Sequence, residues 1–171
     1  STDSPSSSQS NPDVLLCELD GESVVVKDFA PRGFFVGRRL GPWLLRREAR
    51  AYTRLAEIPA IPRLLGWIDE AAIVLEYRPG ELLSRSLSGR LPPGFVDRLG
   101  AVVDEMHRRG VVHLDLRHRS NVLADREGEP VVLDFASALL FDPSTWLGRL
   151  GVGVFAGLDR RALRKWRARL G

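Results

Sequence analysis

Residues 111–134 read VVHLDLRHRSNVLADREGEPVVLD, and within them His113, Asp115, Asn121 and Asp134 are the side chains whose types and spacing suit chemistry. Two apolar runs rich in β-branched residues flank a polar turn, so the segment reads as strand, turn, strand, with an acid closing the second strand. Two carboxylates are thereby brought together. Phosphoryl transfer uses such a pair: one carboxylate orients or deprotonates an acceptor hydroxyl, while the other, with an amide oxygen, holds Mg2+ against the phosphates.

The order H-x-D, then N, then an apolar run ending in Asp134-Phe135, resembles the catalytic loop and metal-binding turn of the protein kinase-like superfamily. That resemblance implies Asp115 as the base, His113 as a scaffold residue in the catalytic loop, Asp134 as the principal Mg2+ ligand and Asn121 as the second. Asn121 stands six positions after Asp115, one more than the superfamily spacing, so Ser120 and His118 are alternative neighbours of the metal. The turn Asp134-Phe135-Ala136-Ser137 has Ala where kinases have Gly, which argues against a switchable turn.

These residues need a frame. Residues 13–29, DVLLCELDGESVVVKDF, hold two apolar runs joined by Asp20-Gly21, a favoured tight-turn pair, and predict a hairpin. Lys27 closes its second run. In the superfamily a lysine here reaches the α- and β-phosphates and is held by a carboxylate of the next helix, whereas an isolated lysine at a strand end is ordinarily just solvated. The helix predicted over 43–57 carries Leu44, Leu45, Ala49, Tyr52 and Leu55 or Ala56 at the spacing of one buried face, with Pro42 just before it. Glu48, 21 positions after Lys27, is the implied partner, with Glu57 as the fallback and a surface pairing of Glu48 with Arg47 or Tyr52 as the plain alternative.

After an extended, Pro-punctuated connector over 58–66, strands are predicted at 67–69 and 72–77. Leu75 to Gly80, LEYRPG, resembles the hinge between kinase lobes, where backbone groups around Glu76, Tyr77 and Arg78 would bond an adenine edge. Residues 81–91 read as a short polar helix or loop. A second amphipathic helix is predicted over 92–110, with Gly110 as its stop and His107 as a surface residue near its C-terminus.

Residues 1–12 are Ser-rich and nearly free of apolar groups, which predicts disorder; in the kinase reading, Ser6, Ser7, Ser8 and Ser10 are candidates for a phosphate-covering loop, since no G-x-G-x-x-G precedes the hairpin. Residues 30–42, with Phe34-Phe35 among Gly, Pro and Arg, read as an exposed loop with an apolar tip that resembles an insertion of the lipopolysaccharide-core sugar kinases. Packing of both Phe residues beneath the next helix is the alternative. The formal charge is +3, and residues 158–171 carry six basic residues against Asp159. That segment predicts a basic amphipathic tail helix, suited to an anionic membrane or nucleic acid, or simply a solvated face with Leu163, Trp166 and Leu170 turned inward. Arg117, His118 and Arg119 beside Asp115 are candidates for contacting an anionic acceptor.

At 171 residues and 44% hydrophobic content, the chain has enough material for one core or two small lobes sharing a cleft. Its single Cys17 excludes an internal disulfide, no Cys/His cluster has zinc spacing, and no apolar run reaches about 18 residues. A soluble, cytoplasmic protein is expected, with peripheral contact at the inner membrane face through 158–171. The fold expectation is α+β: a two-lobed, minimal protein kinase-like fold with an N-terminal lobe over 13–80, a reduced C-terminal lobe over 81–157 and the tail helix beyond. With 37 residues after Asp134 and no A-P-E, the layout resembles the RIO kinases, the small kinase of the KEOPS assembly and the lipopolysaccharide sugar kinases. The resemblance implies ATP- and Mg2+-dependent transfer of the γ-phosphate to a hydroxyl of a protein Ser/Thr or a lipid-linked sugar. The competing readings are a pseudokinase that binds nucleotide without turnover and an adaptor for membrane or RNA.

Overall fold

The computed structural model describes residues 13–19, 21–28 and 41–170. The Ser-rich segment 1–12 with its candidate phosphate-loop serines, Asp20 of the predicted turn and the loop carrying Phe34-Phe35 lie outside the described residues. The architecture is α+β, as expected, and compatible with a minimal kinase-like fold: three α-helices and three small antiparallel sheets among the described residues.

The hairpin forms where its pattern predicts. Strands β1 (Asp13–Leu19) and β2 (Glu22–Asp28) pair antiparallel, with Gly21 in the left-handed region at φ 81°. Strands β3 (Leu64–Asp69) and β4 (Ala72–Glu76) complete a four-stranded sheet in the order β1-β2-β4-β3. The extended connector thus ends three residues earlier than expected, at Leu64. Side chains alternate across a strand, so in β2 Val24 and Val26 turn into the core while Val25 and Lys27 face the cleft. Helix α1 (Gly41–Leu55) covers the core side of the sheet and buries Leu45, Glu48, Ala49, Tyr52 and Leu55. It begins and ends two residues before the predicted bounds. Pro42 falls in the first turn, where a missing N–H costs no hydrogen bond.

Beyond the Glu76–Arg78 crossing, strand β5 (Gly80–Leu82) and a single 3-10 turn occupy the stretch expected as a short polar helix or loop. Helix α2 (Phe95–Arg108) buries Phe95, Leu99, Val103 and Met106. Gly110 sits at φ 75°, and a Cβ there would lie 2.2 Å from the Phe141 carbonyl oxygen, so only glycine fits the close approach. Strand β6 (Val111–Val112) follows and pairs with β9 (Leu139–Leu140), while β7 (Val122–Asp125) and β8 (Pro130–Val132) join β5 in a three-stranded sheet.

Two sequence expectations are corrected in the C-terminal half. The basic helix is not a separate tail starting at 158: α3 runs from Trp146 to Leu170 in one 25-residue span, through Gly148, Gly151, Gly153 and Gly157. His107 is buried, not on the surface, and its Nε2 donates to Asp159 Oδ2 of α3 at 2.9 Å. One contiguous apolar cluster links α1, β4, α2, Phe135 and α3, with Trp166 the largest side chain in it. Among the described residues no helix is long and apolar enough to cross a membrane.

Candidate active site

Lys27 is 6% exposed and 107 residues from Asp134 in sequence, yet its ammonium joins both halves of the cleft. Nζ donates to Glu48 Oε1 at 2.6 Å and to Asp134 Oδ1 at 2.9 Å. Glu48 is brought there because α1 turns it onto the same buried face as Leu45 and Tyr52; it is 2% exposed. The fallback partner, Glu57, is exposed and pairs instead with Arg109 at 3.1 Å. Burial alone would push the Lys27 ammonium towards neutrality, but the adjoining Glu48 and Asp134 carboxylates outweigh it and hold the pKa above the ordinary lysine value. Burial likewise opposes ionisation of Asp134, and the Lys27 charge wins, holding that carboxyl below the usual aspartate range.

Asp115 follows β6 on a loop pinned from below. Leu114, the residue before it, has φ 70°, which L side chains rarely adopt, and the strain is held by hydrogen bonding. Asp159 of α3, fully buried, accepts from Leu114 N through Oδ1 and from His113 N through Oδ2, each at 2.9 Å. Two turns further along α3, Trp166 Nε1 donates to the Leu116 carbonyl at 2.9 Å. The loop therefore rests on α3 at two consecutive backbone positions before Asp115 and one after it.

His113 bridges two segments in this arrangement. Its Nε2 meets the Leu133 carbonyl at 2.9 Å, which requires a donor, and its Nδ1 accepts from Asp115 N at 3.3 Å. Both nitrogens are thus engaged, and the ring joins the Asp115 loop to the residue before Asp134. Phe135 packs between the rings of His113 and Tyr52, with centroids 5.0 Å from each, and Tyr52 OH accepts from Asp134 N at 3.2 Å. Asp134 itself takes φ 60°. This column fixes the position of the acid that ends β8's approach.

Asn121 reaches Asp115 in spite of the longer spacing, because a 3-10 turn over Arg119–Asn121 takes up the additional residue. Its Nδ2 donates to the Asp115 carbonyl at 2.9 Å and to Asp115 Oδ2 at 3.1 Å, while Oδ1 accepts from Ser120 Oγ at 3.0 Å. His118 caps the turn and, with Arg117 and Arg119, is exposed. Lys27, Asp115, Asn121 and Asp134 line one cavity of about 330 Å3 with Val14, His118 and Ser120.

A second cavity of about 430 Å3 shares Val14, Lys27, Ser120 and Asp134 with the first and extends under the sheet to the crossing strand. Val25 and Leu75 line it from the sheet, Leu123 and Leu133 from the other half. Tyr77 and Arg78 lie just past the last β2–β4 ladder pair, Val24–Glu76, so their backbone groups are outside the ladder. The Glu76 side chain accepts from Arg63, and the Arg78 guanidinium donates to the Pro59 carbonyl at 2.7 Å, so both side chains brace the crossing. An apolar slot opening onto a lysine, two acids and an amide has the shape and chemistry for a base at one end and metal-bound phosphates at the other. Among the described residues no three His, Cys, Asp or Glu side chains form a metal cluster. Asp134 and Asn121 Oδ1 fit Mg2+, which takes few protein ligands and completes its shell with water and phosphate oxygens.

Sequence reasoning missed Asp159, Tyr52 and Trp166 as positioning residues. The available signal for Asp159 was that it is the sole acid among seven basic residues of α3.

No family model matches the chain. Over 110 residues, 58% of this chain, it is 34% identical to CBL-interacting protein kinase 12 of Oryza sativa subsp. japonica. Over 103 residues, 56% of the chain, it is 36% identical to CBL-interacting protein kinase 16 of the same plant. Serine/threonine-protein kinase C of Synechocystis sp. is 27% identical over 106 residues, 54% of the chain. The matched stretches cover 20%, 22% and 20% of those proteins, so the chain spans about a fifth of the relatives it matches. The similarity supports a kinase-like chain in general terms.

Proposed function

We propose that this chain is an ATP- and Mg2+-dependent phosphotransferase that moves the γ-phosphate to a hydroxyl. The observation that carries the reading is Lys27, held between Glu48 and Asp134 at the junction of an apolar slot and a cavity that also contains Asp115 and Asn121. In this reading the slot takes the adenine, with its edge against the Tyr77 and Arg78 backbone. Lys27 contacts the α- and β-phosphates, Asp134 and Asn121 hold Mg2+, and Asp115 orients the attacking hydroxyl. Mg2+, when bound, offsets phosphate charge. Glu48 keeps the lysine in place, and His113 and Asp159 keep the Asp115 loop in its strained form.

Only ten residues, 136–145, connect Phe135 to α3, so the acceptor side of the cleft is framed by short loops rather than by a long segment after the metal acid. That supports a minimal kinase of the kind typified by the RIO and lipopolysaccharide sugar kinases, with a protein Ser/Thr or a lipid-linked sugar as acceptor. Exposed free Cys17 accords with a reducing, cytoplasmic setting.

Turnover separates transfer from nucleotide binding alone. With γ-labelled ATP and Mg2+, label should move to the protein itself, an added protein or a lipopolysaccharide fraction, and Asp115→Ala should abolish that movement while nucleotide binding persists. Transfer by Asp115→Ala at the wild-type rate removes Asp115 from its role.

A further inference from the structure

Helix α3 is needed inside the fold for Asp159 and Trp166, but its opposite face has no partner among the described residues. Trp146, Leu150, Val154 and Leu158 recur every four residues along that face with Leu147 beside them, and they are 68%, 56%, 66%, 45% and 61% exposed. At about 1.5 Å per residue the stripe is roughly 18 Å long. Large side chains of this kind, contiguous and in water, mark a surface that something covers. We infer that this face of α3 is a membrane-docking surface that seats on an anionic lipid bilayer.

Charge selects the occupant. Arg161 and Arg164 continue the same face in the turns after Leu158, and Arg149 and Arg160 flank it; all four are exposed and none has an ion pair among the described residues. The helix holds one acid, Asp159, which is fully buried with both oxygens hydrogen-bonded. The solvent-facing side of α3 is therefore mainly apolar over its first half, with Arg149 at its edge, and mainly cationic beyond. That division suits a bilayer surface, whose acyl border takes Trp and Leu while its phosphates take arginine. A second copy of the chain has no acid on this helix to meet those arginines. The contact is interfacial, since no described helix is apolar enough to span. It goes beyond the notion of a basic tail, because the apolar residues that would enter the lipid all precede residue 159.

Co-sedimentation of the full chain with vesicles tests the assignment without ATP, so its outcome is independent of the transfer reading. Binding is expected to vesicles of phosphatidylcholine with phosphatidylglycerol, to be absent from phosphatidylcholine alone, and to fall as salt is raised. Leu150→Asp with Val154→Asp should abolish it with an unchanged thermal melt, because both side chains are in water. Arg161→Ala and Arg164→Ala, which leave the apolar stripe intact, should each weaken partitioning by roughly fivefold. The inference is overturned by no binding to anionic vesicles, by equal binding to neutral ones, or by binding that survives the Leu150/Val154 change. A concentration-dependent dimer in sedimentation, lost in that same double variant and without lipid binding, would assign the face to a second copy instead.

Discussion

Asp159 Oδ1 accepts the Leu114 N–H at 2.9 Å, and Leu114 is one of two non-glycine residues with positive φ among those described, the other being Asp134. A buried carboxylate on one helix thus holds the backbone that aims Asp115. Replacing it exposes the cost of that strain. Asp159→Asn, which keeps one acceptor oxygen, should destabilise the fold by about 1.5–3 kcal/mol, the range for hydrogen bonds to charged groups. Phosphate transfer should fall more than nucleotide affinity does. Urea melts and a comparison of kcat with ATP affinity check both parts.

Lys27 and Glu48 form a pair that neither can leave alone. Lys27→Met strands the Glu48 carboxylate at 2% exposure, a loss of about 3–5 kcal/mol where a buried pair is broken. Adding Glu48→Leu should restore much of that stability without restoring transfer. A double-mutant cycle in chemical denaturation reads the first effect, and the phosphate-transfer assay the second.

The pH dependence has a definite sign. The Asp134 pKa is depressed in the fold, so its contribution to stability is present above the ordinary aspartate value of 3.8 and is lost as pH falls through the folded value below that. Lys27 is raised, so its contribution is full below the ordinary 10.5 and declines only as pH rises beyond it. Thermal melts across pH should therefore lose an acid-side component in Asp134→Asn, and show no change from that substitution in the slope between pH 6 and 9.

Two glycines make opposite predictions. Gly110→Ala places a methyl group against the Phe141 carbonyl at a left-handed backbone position, and should cost at least about 1–2 kcal/mol. Gly153→Ala lies inside α3 with nothing within 4 Å of the new methyl, and should stabilise by about 0.5–1 kcal/mol through helix propensity. Equilibrium unfolding of the two variants decides each.

Much of the frame was legible in the sequence because it rests on local signals. The β1–β2 hairpin follows from two apolar runs around a tight-turn dipeptide, and α1 from a 3.6-residue repeat. The interval from Lys27 to Glu48 carries over because a strand, a connector and a helix turn of that length bring them to one place. The rest is tertiary. Four glycines between 148 and 157 weaken the helix signal, so α3 reads as beginning only at its basic half, yet packing on α2 and the Asp115 loop carries the helix through them. Asp159 looks like one more solvated charge in a charged stretch, and His107 like a surface residue at a helix end. Only the crossing of α2 and α3 makes them partners. The six-residue spacing from Asp115 to Asn121 reads as a mismatch until the 3-10 turn brings the amide back to the acid.

The most direct test of a metal-nucleotide site is a thermal melt with ATP, with and without Mg2+, on wild type and Asp134→Ala. At a hundredfold excess over its dissociation constant a ligand of the native state adds about 2.7 kcal/mol, a rise of roughly 5–10 °C for a chain of this size. A rise of that order that requires both Mg2+ and Asp134 is the predicted result. An equal rise in Asp134→Ala, or none in wild type with Mg2+ and ATP together, would contradict it.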